Sequence, residues 1–410
     1  MKLSMPIIIA AAYLTPLSIP IGNFSGLPIE LVPSDLMIVY LLIQLVQGNK
    51  VNRNVMMWWY LMLYFPAIAF ISYFQGRAGL GTLASVVNFW LPALHLPIGY
   101  LIYQNYGSKI FSVAAVYCIV LIFVIALSDV IFGPFPRGCG YEGRWGGCIG
   151  NLEIYGFPNA SMNFLISLSG LIFYLFLSSK GFFTRFICVF SVVLLFAMSA
   201  LSLSKSTIIS IILMILMILF VLRPFIFTFI LIPFSAFLFI VFYKQILSIS
   251  IFSGVSNRVE ASLDNGDLST GRVSLWLDTL DVIYQRPLFG YQFDLFTNHG
   301  FLGTAHQQYL EILFKSGIIG LVIYLLVFFR AFLAYYRYSK AGDHNSYSFK
   351  LFSLFALIII FNNFTQSLTN FSPMGNICFC LAGMALGMSG NSFANKATPE
   401  SNALKFSKYA

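Results

Sequence analysis

The chain has very few charged residues: they make up 9% of its 410 residues, whereas hydrophobic residues make up 59%. Soluble domains carry about a quarter charged residues, so a set of ordinary soluble domains is excluded. The net charge is +9, but no basic cluster with interleaved aromatic residues is present, which excludes a nucleic-acid-binding surface. Internal repeats of fixed period and low-complexity tracts are also lacking.

Cysteine and histidine are scarce as well, with six and four copies. Four of the cysteines fall inside apolar runs and are predicted to be small packing residues: Cys118, Cys188, Cys378 and Cys380. Cys139 and Cys148 share a polar segment, where a disulfide and two free thiols both remain open. His299 and His306 lie far from these cysteines in the sequence, so we predict no metal and no cofactor.

What the sequence has in abundance is apolar runs of about 17–25 residues, each long enough to cross a bilayer as a helix. We predict an all-α, polytopic membrane protein with about twelve transmembrane helices. The predicted spans are roughly 5–22, 29–47, 55–74, 80–103, 110–132, 162–178, 186–202, 207–222, 225–243, 317–336, 351–368 and 374–389. Prolines inside these spans, such as Pro66, Pro92, Pro97 and Pro233, are expected to kink them.

The distribution of basic residues predicts the orientation. With a cytoplasmic N-terminus and alternating loops, the cytoplasmic side carries fourteen of the 23 Lys and Arg residues and only two of the 14 acidic ones. This asymmetry agrees with the positive-inside rule. We therefore predict a single membrane domain over 1–390 with both termini cytoplasmic, a cytoplasmic polar tail at 391–410, and two large outer loops at about 133–161 and 244–316.

His306 is the first candidate for chemistry in the second loop. On a helix, His306, Leu310, Leu313 and Gly317 form one stripe, and small residues at Gly317 and Gly320 allow a neighbour to approach closely. The imidazole would then face the protein near the outer membrane surface and exchange a proton near neutral pH. A buried or capping histidine is the alternative.

Cations on the predicted outer side are the second set of candidates. Arg258 and Arg272 precede the histidine, and a helix is expected to begin near Arg272. Guanidinium groups offer planar pairs of donors to phosphate oxygens. Further cations are Lys205, between two apolar runs, and Arg137 and Arg144, in the first loop. Solvated or snorkelling charges are the alternatives, but together these residues favour an anionic, phosphate-bearing substrate. Glu311 and Lys315 have the spacing of a helix-surface ion pair.

The region 270–320 resembles the signature region of the O-antigen ligase/polymerase superfamily. The resemblance lies in an Arg-x-x-x-x-Trp segment (Arg272, Trp276), Pro-Leu-x-Gly (Pro287, Leu288, Gly290), a His-(Asn/Gln)-x-x-Leu block beginning at His306, and the closing Gly317 and Gly320. The tenth span follows the large loop, as it does in that family.

The resemblance implies a GT-C-like, inverting, metal-independent glycosyltransferase of the bacterial inner membrane. It implies a periplasmic site that handles glycans on undecaprenyl pyrophosphate. His306 would activate the acceptor hydroxyl, while Arg272 and Arg258 would hold the lipid pyrophosphate. Lys205 stands where the ligases carry an arginine. Membrane lipid, a chain-length regulator and a flippase are the further partners implied.

Three functions stay open. A polymerase would join lipid-linked repeat units to one another, and a ligase would transfer the glycan to lipid A–core. Lys205 in the place of an arginine, together with the divergent loops, favours the polymerase. A transporter is the third reading, because twelve kinked spans suit one. Against it, most spans lack buried charge, with His95 and Asp129 as the exceptions.

Overall fold

The computed structural model describes residues 4–15, 19–24, 27–76, 79–132, 148–149, 152–153, 158–201, 272–301, 305, 307–340 and 372–394. The predicted spans at 207–222, 225–243 and 351–368 lie outside these residues. The described part of the chain is all-α apart from two short hairpins.

The helices and strands are numbered here in chain order. They are α1 (Ser4–Leu14), β1 (Ile19–Phe24), β2 (Leu27–Leu31), α2 (Met37–Val46), α3 (Arg53–Leu61), α4 (Tyr64–Phe74), α5 (Leu80–Trp90), α6 (His95–Tyr106), α7 (Lys109–Phe132), β3 (Cys148–Ile149), β4 (Leu152–Glu153), α8 (Pro158–Ser178), α9 (Phe182–Leu201), α10 (Arg272–Gln285), α11 (Gln308–Lys340) and α12 (Ser372–Ala394). Short 3₁₀ turns precede α2, at Pro33–Leu36, and α6, at Leu91–Leu94.

Four helical stretches in the described part of the chain are long and apolar enough to cross a membrane. They are Arg53–Phe74, Gly81–Tyr106, Lys109–Ser128 and Gln308–Ala334. Shorter apolar helices accompany them, including Ser4–Leu14, Phe182–Met198 and Met374–Met388. Because a helix keeps its backbone hydrogen bonds within itself, it can cross lipid where irregular chain cannot. The protein is therefore a multi-pass helical membrane protein.

The first two predicted spans are wrong in their extent. Helix α1 ends at Leu14, and the chain then forms β1 and β2, which pair antiparallel with Ile19 opposite Leu31. The pairing shifts between Pro20 and Gly22. The segment is apolar enough to be read as a helix, but its prolines and glycines interrupt helical hydrogen bonding, so a hairpin replaces the end of one span and the start of the next.

Proline bends the fourth predicted span as expected. Helix α5 ends at Trp90, a 3₁₀ turn containing Pro92 follows, and α6 begins at His95. Proline lacks the amide hydrogen that a continuous helix requires, so the turn tightens at this point. Pro97 lies in the first turn of α6, where the missing donor costs little.

Helices α6 and α12 pack with their backbones in direct contact. A Cβ atom on Gly99 would collide with the backbone of Cys380, and one on Gly383 would collide with the backbone of Leu96. Small residues commonly permit this approach between membrane helices. The four cysteines within spans are buried and free, which confirms their predicted role in packing: Cys118, Cys188, Cys378 and Cys380.

Two polar contacts tie distant helices together in this bundle. The hydroxyl of Tyr13 in α1 lies 2.7 Å from Nδ1 of His95 in α6, and both side chains are buried. The amide Nδ2 of Asn376 donates to Ser34 Oγ at 2.8 Å and to Asp35 Oδ1 at 2.9 Å. Polar pairs of this kind hold helices together inside a membrane, so His95 has a structural partner.

The buried apolar residues of the described chain form two clusters. The larger is the core of the bundle, with Phe65, Phe164 and Phe379 among its members. The smaller, called here the α10–α11 cluster, consists of Ile283, Tyr291, Phe296, Ala305, Leu310 and Phe314. Its members come from the region of the sequence that is predicted to carry the chemistry.

Candidate functional site

Helix α10 begins at Arg272, as predicted, and turns one face towards the protein. Arg272, Trp276, Thr279 and Ile283 recur at the spacing of a single helical face; Thr279 and Ile283 are buried, and Arg272 and Trp276 are partly buried. Burial lowers the pKa of the Arg272 guanidinium from its ordinary value. Since arginine ordinarily loses its proton only above pH 12, it remains a cation here.

Trp276 connects this helix to the chain that precedes α11. Its indole Nε1 donates a hydrogen bond to the carbonyl oxygen of Ala305 at 3.0 Å. Ala305 is fully buried. On the other side of position 306, Gln307 Oε1 accepts a hydrogen bond from the amide of Leu310 at 2.5 Å and so caps the first turn of α11. Both immediate neighbours of position 306 are thus fixed by side-chain contacts.

Helix α11 is interrupted at Gly317, whose backbone angles (φ 68°, ψ −170°) are not helical. The loop that carries Pro-Leu-x-Gly, residues 286–293, docks at this interruption. The amides of Tyr291 and Phe293 donate to the carbonyls of Phe314 and Lys315, at 2.6 and 2.9 Å. In return, Pro287 O accepts from the amide of Ile318 at 2.8 Å.

Tyr64 in α4 supplies one more partner at the interruption. Its hydroxyl donates to the carbonyl of Ser316 at 3.0 Å. Three consecutive carbonyls of α11, at positions 314–316, therefore accept hydrogen bonds from outside the helix. An unpaired buried carbonyl costs free energy. The 286–293 loop and Tyr64 stabilise the interrupted helix because they supply the missing hydrogen-bond donors.

Two glycines of the signature region allow this docking. A Cβ atom on Gly290 would lie 2.7 Å from the amide nitrogen of Gly317, and one on Gly317 would collide with the carbonyl group of Leu288. Both glycines also have positive φ, 59° and 68°, a conformation that other residues rarely adopt. The expectation that Gly317 permits a close approach is confirmed, and the neighbour that approaches is the 286–293 loop.

The predicted continuous stripe from His306 to Gly317 is wrong. Helix α11 starts at Gln308, after the histidine, and is broken at Gly317. The helical register ends there because Gly317 has a positive φ and because the amides of Ile318 and Ile319 donate to the carbonyls of Pro287 and Leu288. Gly320 also lies in a close contact, since a Cβ atom on it would meet the Ser316 side chain and, at 3.1 Å, the Phe65 ring.

Glu311 and Lys315 form an ion pair, but not on a helix surface. Lys315 Nζ lies 3.8 Å from Glu311 Oε2, with the two side chains 13% and 1% exposed. The spacing predicted the pair correctly and its location wrongly. Helix α11 packs on both core clusters here, through Ile312 and Phe314. Glu311 is therefore buried, and Lys315 is partly buried.

Aromatic rings stack along the inner side of the 286–293 loop. The Phe314 ring stacks on Tyr291 at 5.0 Å and on Phe296 at 4.1 Å between centroids. The guanidinium of Arg286 lies over the ring of Tyr291, 5.0 Å from its centroid. The loop is therefore held against α11 by two kinds of contact, the stacking of its aromatic rings and its backbone hydrogen bonds.

His299 is an ordered polar residue that the sequence reasoning did not single out. Its Nε2 lies 3.0 Å from Asp294 Oδ2, and its ring packs edge-on against Tyr291 at 4.3 Å. Asp294 also accepts from the side chain of Asn298 at 2.7 Å. The sequence signal for this contact is Asp294, an aspartate five residues before His299 in a segment that forms a turn. These contacts hold the 3₁₀ turn Phe296–His299 against the α10–α11 cluster.

Of the predicted site residues, Arg272 is the one whose position the structure describes. The other predicted site residues lie outside the described residues: His306, Arg258, Lys205, Arg144 and Arg137. Cys139 also lies outside them, so the structure does not test its pairing with Cys148. No group of three or more His, Cys, Asp or Glu side chains within the described ranges is placed to hold a metal ion.

The fold and this site define a multi-pass membrane protein whose α10–α11 segment is built around an interrupted helix. Residues 190–325 match the family model described as O-antigen ligase. The match includes α10, the 286–293 loop and the start of α11, and it confirms the resemblance to the O-antigen ligase/polymerase superfamily. The superfamily match supports a ligase- or polymerase-type, glycosyltransferase-like activity on a lipid-linked oligosaccharide. No curated protein matches the chain.

Proposed function

We propose that the protein polymerises oligosaccharide repeat units carried on undecaprenyl pyrophosphate. The reaction takes place at the periplasmic face of the bacterial inner membrane, with both termini in the cytoplasm. A single membrane domain, 1–390, carries the site on its outer loops, and the tail at 391–410 is cytoplasmic. The carrier lipid, the surrounding membrane lipid, a chain-length regulator and a flippase are the partners of this activity.

One hydrogen bond carries the proposal: Trp276 Nε1 to Ala305 O, at 3.0 Å. Trp276 follows Arg272 by one helical turn, about 6 Å along the axis. Ala305 immediately precedes His306 in the sequence. The bond therefore supports a common site for the cationic Arg272 and the imidazole of His306, two residues that are 34 positions apart in the chain.

The chemistry follows from the two groups. His306 takes the proton of the acceptor hydroxyl as its oxygen attacks the anomeric carbon of the donor glycan. The bond between that carbon and the pyrophosphate oxygen breaks on the opposite side, which inverts the configuration. Arg272 and Arg258 stabilise the negative charge that the departing undecaprenyl pyrophosphate acquires. No metal and no cofactor takes part in this scheme.

The remaining cations assist by attracting the anionic substrate. Lys205 supplies charge beside the pyrophosphate without the planar donor pair of an arginine. Arg137 and Arg144 act from the first outer loop, which lies before the family match at 190–325. Their contribution is steering, so it weakens as salt screens the charges.

Ligation is the second candidate, and the description of the matching family favours it. In that reaction the same donor glycan passes to lipid A–core in place of a second lipid-linked unit. The presence of Lys205 where ligases carry an arginine, and the divergence of the loops, favour polymerisation.

Purified protein in proteoliposomes, supplied only with undecaprenyl-pyrophosphate-linked repeat units, tests the choice. A polymerase produces a ladder of lengthened glycans on a gel. If no ladder forms but glycan appears on added lipid A–core, the protein is a ligase. If neither product forms in folded protein, the glycosyltransferase proposal fails, and uptake of the lipid-linked unit that survives loss of His306 would indicate a transporter.

A further inference from the structure

Helix α10 has an exposed apolar stripe beside its buried face. Val273, Leu277, Leu280 and Tyr284 recur at i, i+4, i+7 and i+11 and are between 41% and 88% exposed. With 100° of rotation per residue, these four lie within about 60° of one another on the helix. Single exposed apolar residues are common on proteins, but an aligned row of four is a surface for something apolar.

The polar side chains of α10 lie on one side of the apolar stripe, and the buried face lies on the other. Ser274, Asp278 and Asp281 are exposed, and they lie about 100° around the helix from the stripe. The buried face, with Thr279 and Ile283, is about 100° away in the other direction. A helix with a protein-facing side, an apolar side and an acidic side has the pattern of one lying at a boundary between lipid and water.

Exposed apolar residues continue along the chain from the end of α10 to the membrane span. Leu288 and Phe289, in the 286–293 loop, are 57% and 50% exposed. They follow Pro287, whose carbonyl accepts from the amide of Ile318, and the Leu288 carbonyl itself accepts from Ile319 at 3.4 Å. The exposed apolar residues of the span begin at that level: Ile318, Val322, Leu325, Leu326 and Phe329.

We infer that α10 lies flat in the interfacial layer of the bilayer, with Val273, Leu277, Leu280 and Tyr284 inserted among the lipids. The occupant of this surface is the membrane itself, at the boundary between headgroups and acyl chains. The stripe lies next in the chain to the exposed apolar face of the span that begins at Ile318. This continuity favours contact with lipid over contact with water. Aromatic residues such as Tyr284 favour this layer. The inference stands on exposure and hydrogen bonding and is independent of the proposed reaction.

The position of α10 has a consequence for Arg272. With the stripe inserted, the helix axis runs at headgroup depth, where the phosphates of any lipid substrate lie. The apolar face of an interfacial helix reaches about 5–10 Å into the boundary. The guanidinium is then presented sideways at that depth, towards the α10–α11 cluster.

The test compares neighbouring positions on α10 in full-length protein reconstituted into vesicles. Leu277→Cys and Asp278→Cys are each labelled with an environment-sensitive fluorophore, in a Cys139→Ser/Cys148→Ser background whose own labelling is subtracted. Nitroxide on the fifth acyl carbon of phosphatidylcholine reports contact with lipid, and iodide reports contact with water. Leu280→Cys and Asp281→Cys form a second pair, also about 100° apart, that serves if one of the first variants does not fold.

The inference predicts that nitroxide quenches the label at Leu277 or Leu280 several-fold more than the label at its acidic neighbour. Iodide is expected to show the reverse order. Equal access of iodide to both members of a pair would overturn the inference. So would a label at Leu277 and Leu280 that neither quencher reaches, since the stripe would then be covered by protein, either another segment of this chain or a second copy.

Discussion

Gly290 and Gly317 lie next to each other where the 286–293 loop docks on helix α11. A Cβ atom on Gly290 would lie 2.7 Å from the amide nitrogen of Gly317. The two glycines come from separate parts of the signature region. A side chain on Gly290 would clash with the carbonyl of Phe314 in α11, and one on Gly317 would clash with the carbonyl of Leu288 in the loop. The loop takes up hydrogen bonds that the interrupted helix cannot make, so loop and helix form one structural unit.

Gly317→Ala is expected to destabilise the protein strongly. The new Cβ would collide with the carbonyl of Leu288 at a backbone conformation, φ 68° and ψ −170°, that suits only glycine. Backbone strain alone costs about 1–3 kcal/mol, and displacement of the loop adds to it. Thermal unfolding in detergent measures the loss.

Gly300→Ala is the matched control for this substitution. Gly300 also has a positive φ, 84°, but a Cβ atom there would meet no described atom within 4 Å. It should lose only the strain contribution, about 1 kcal/mol. Equal losses of melting temperature in the two variants would show that the contact between the loop and α11 contributes nothing.

Trp276→Phe removes the indole donor while keeping an aromatic ring. We expect glycan transfer to fall by about tenfold or more, because the peptide before His306 loses its anchor and small displacements of a catalytic group are costly. The stability loss should be only about 1 kcal/mol, the worth of one hydrogen bond. The initial rate of ladder formation and the melting temperature are both measured.

Trp59→Phe provides the comparison for that variant. Its indole Nε1 is buried and has no hydrogen-bond partner among the described residues, so the same change of ring removes no bond. Transfer by Trp59→Phe should stay near that of the wild type. A comparable fall in both variants would mean that ring volume, and not the bond to Ala305, determines the rate.

Lys315→Met is expected to leave Glu311 as a buried charge without its lysine. Removing one partner of a buried pair costs about 3–5 kcal/mol, whereas neutralising both is often tolerated. The double variant Glu311→Gln/Lys315→Met should therefore melt at a higher temperature than Lys315→Met alone. If the double variant is instead less stable, by the sum of the stability losses of Glu311→Gln and Lys315→Met measured singly, the two side chains do not interact.

Much of the bundle and part of the site follow from local patterns. Apolar runs predicted α3 to α9, α11 and α12, and the polar turn before Arg272 predicted the start of α10. Pro92 predicted a bend because a missing amide hydrogen acts where the proline lies. These features depend on neighbours in the sequence, so the sequence displays them directly.

The features that could not be predicted depend on distant partners. The helix breaks at Gly317 because the carbonyls of Pro287 and Leu288 lie close enough to accept the amides of Ile318 and Ile319. The Glu311–Lys315 pair has surface spacing, but it is buried by packing against both clusters. The hairpin at 19–31 overlaps two apolar runs that predicted helices, but its strands pair with each other. Hydropathy records how apolar a segment is and not where its backbone hydrogen bonds go.

The convergence of Arg272 and His306 on one reaction is tested most directly by transfer rates in correctly inserted protein. His306→Ala and Arg272→Ala are compared with His299→Ala, which changes another histidine of the same region whose contacts are to Asp294 and Tyr291. The account predicts that the first two abolish ladder formation while membrane insertion is retained, and that His299→Ala still forms a ladder. Wild-type turnover by His306→Ala would contradict it.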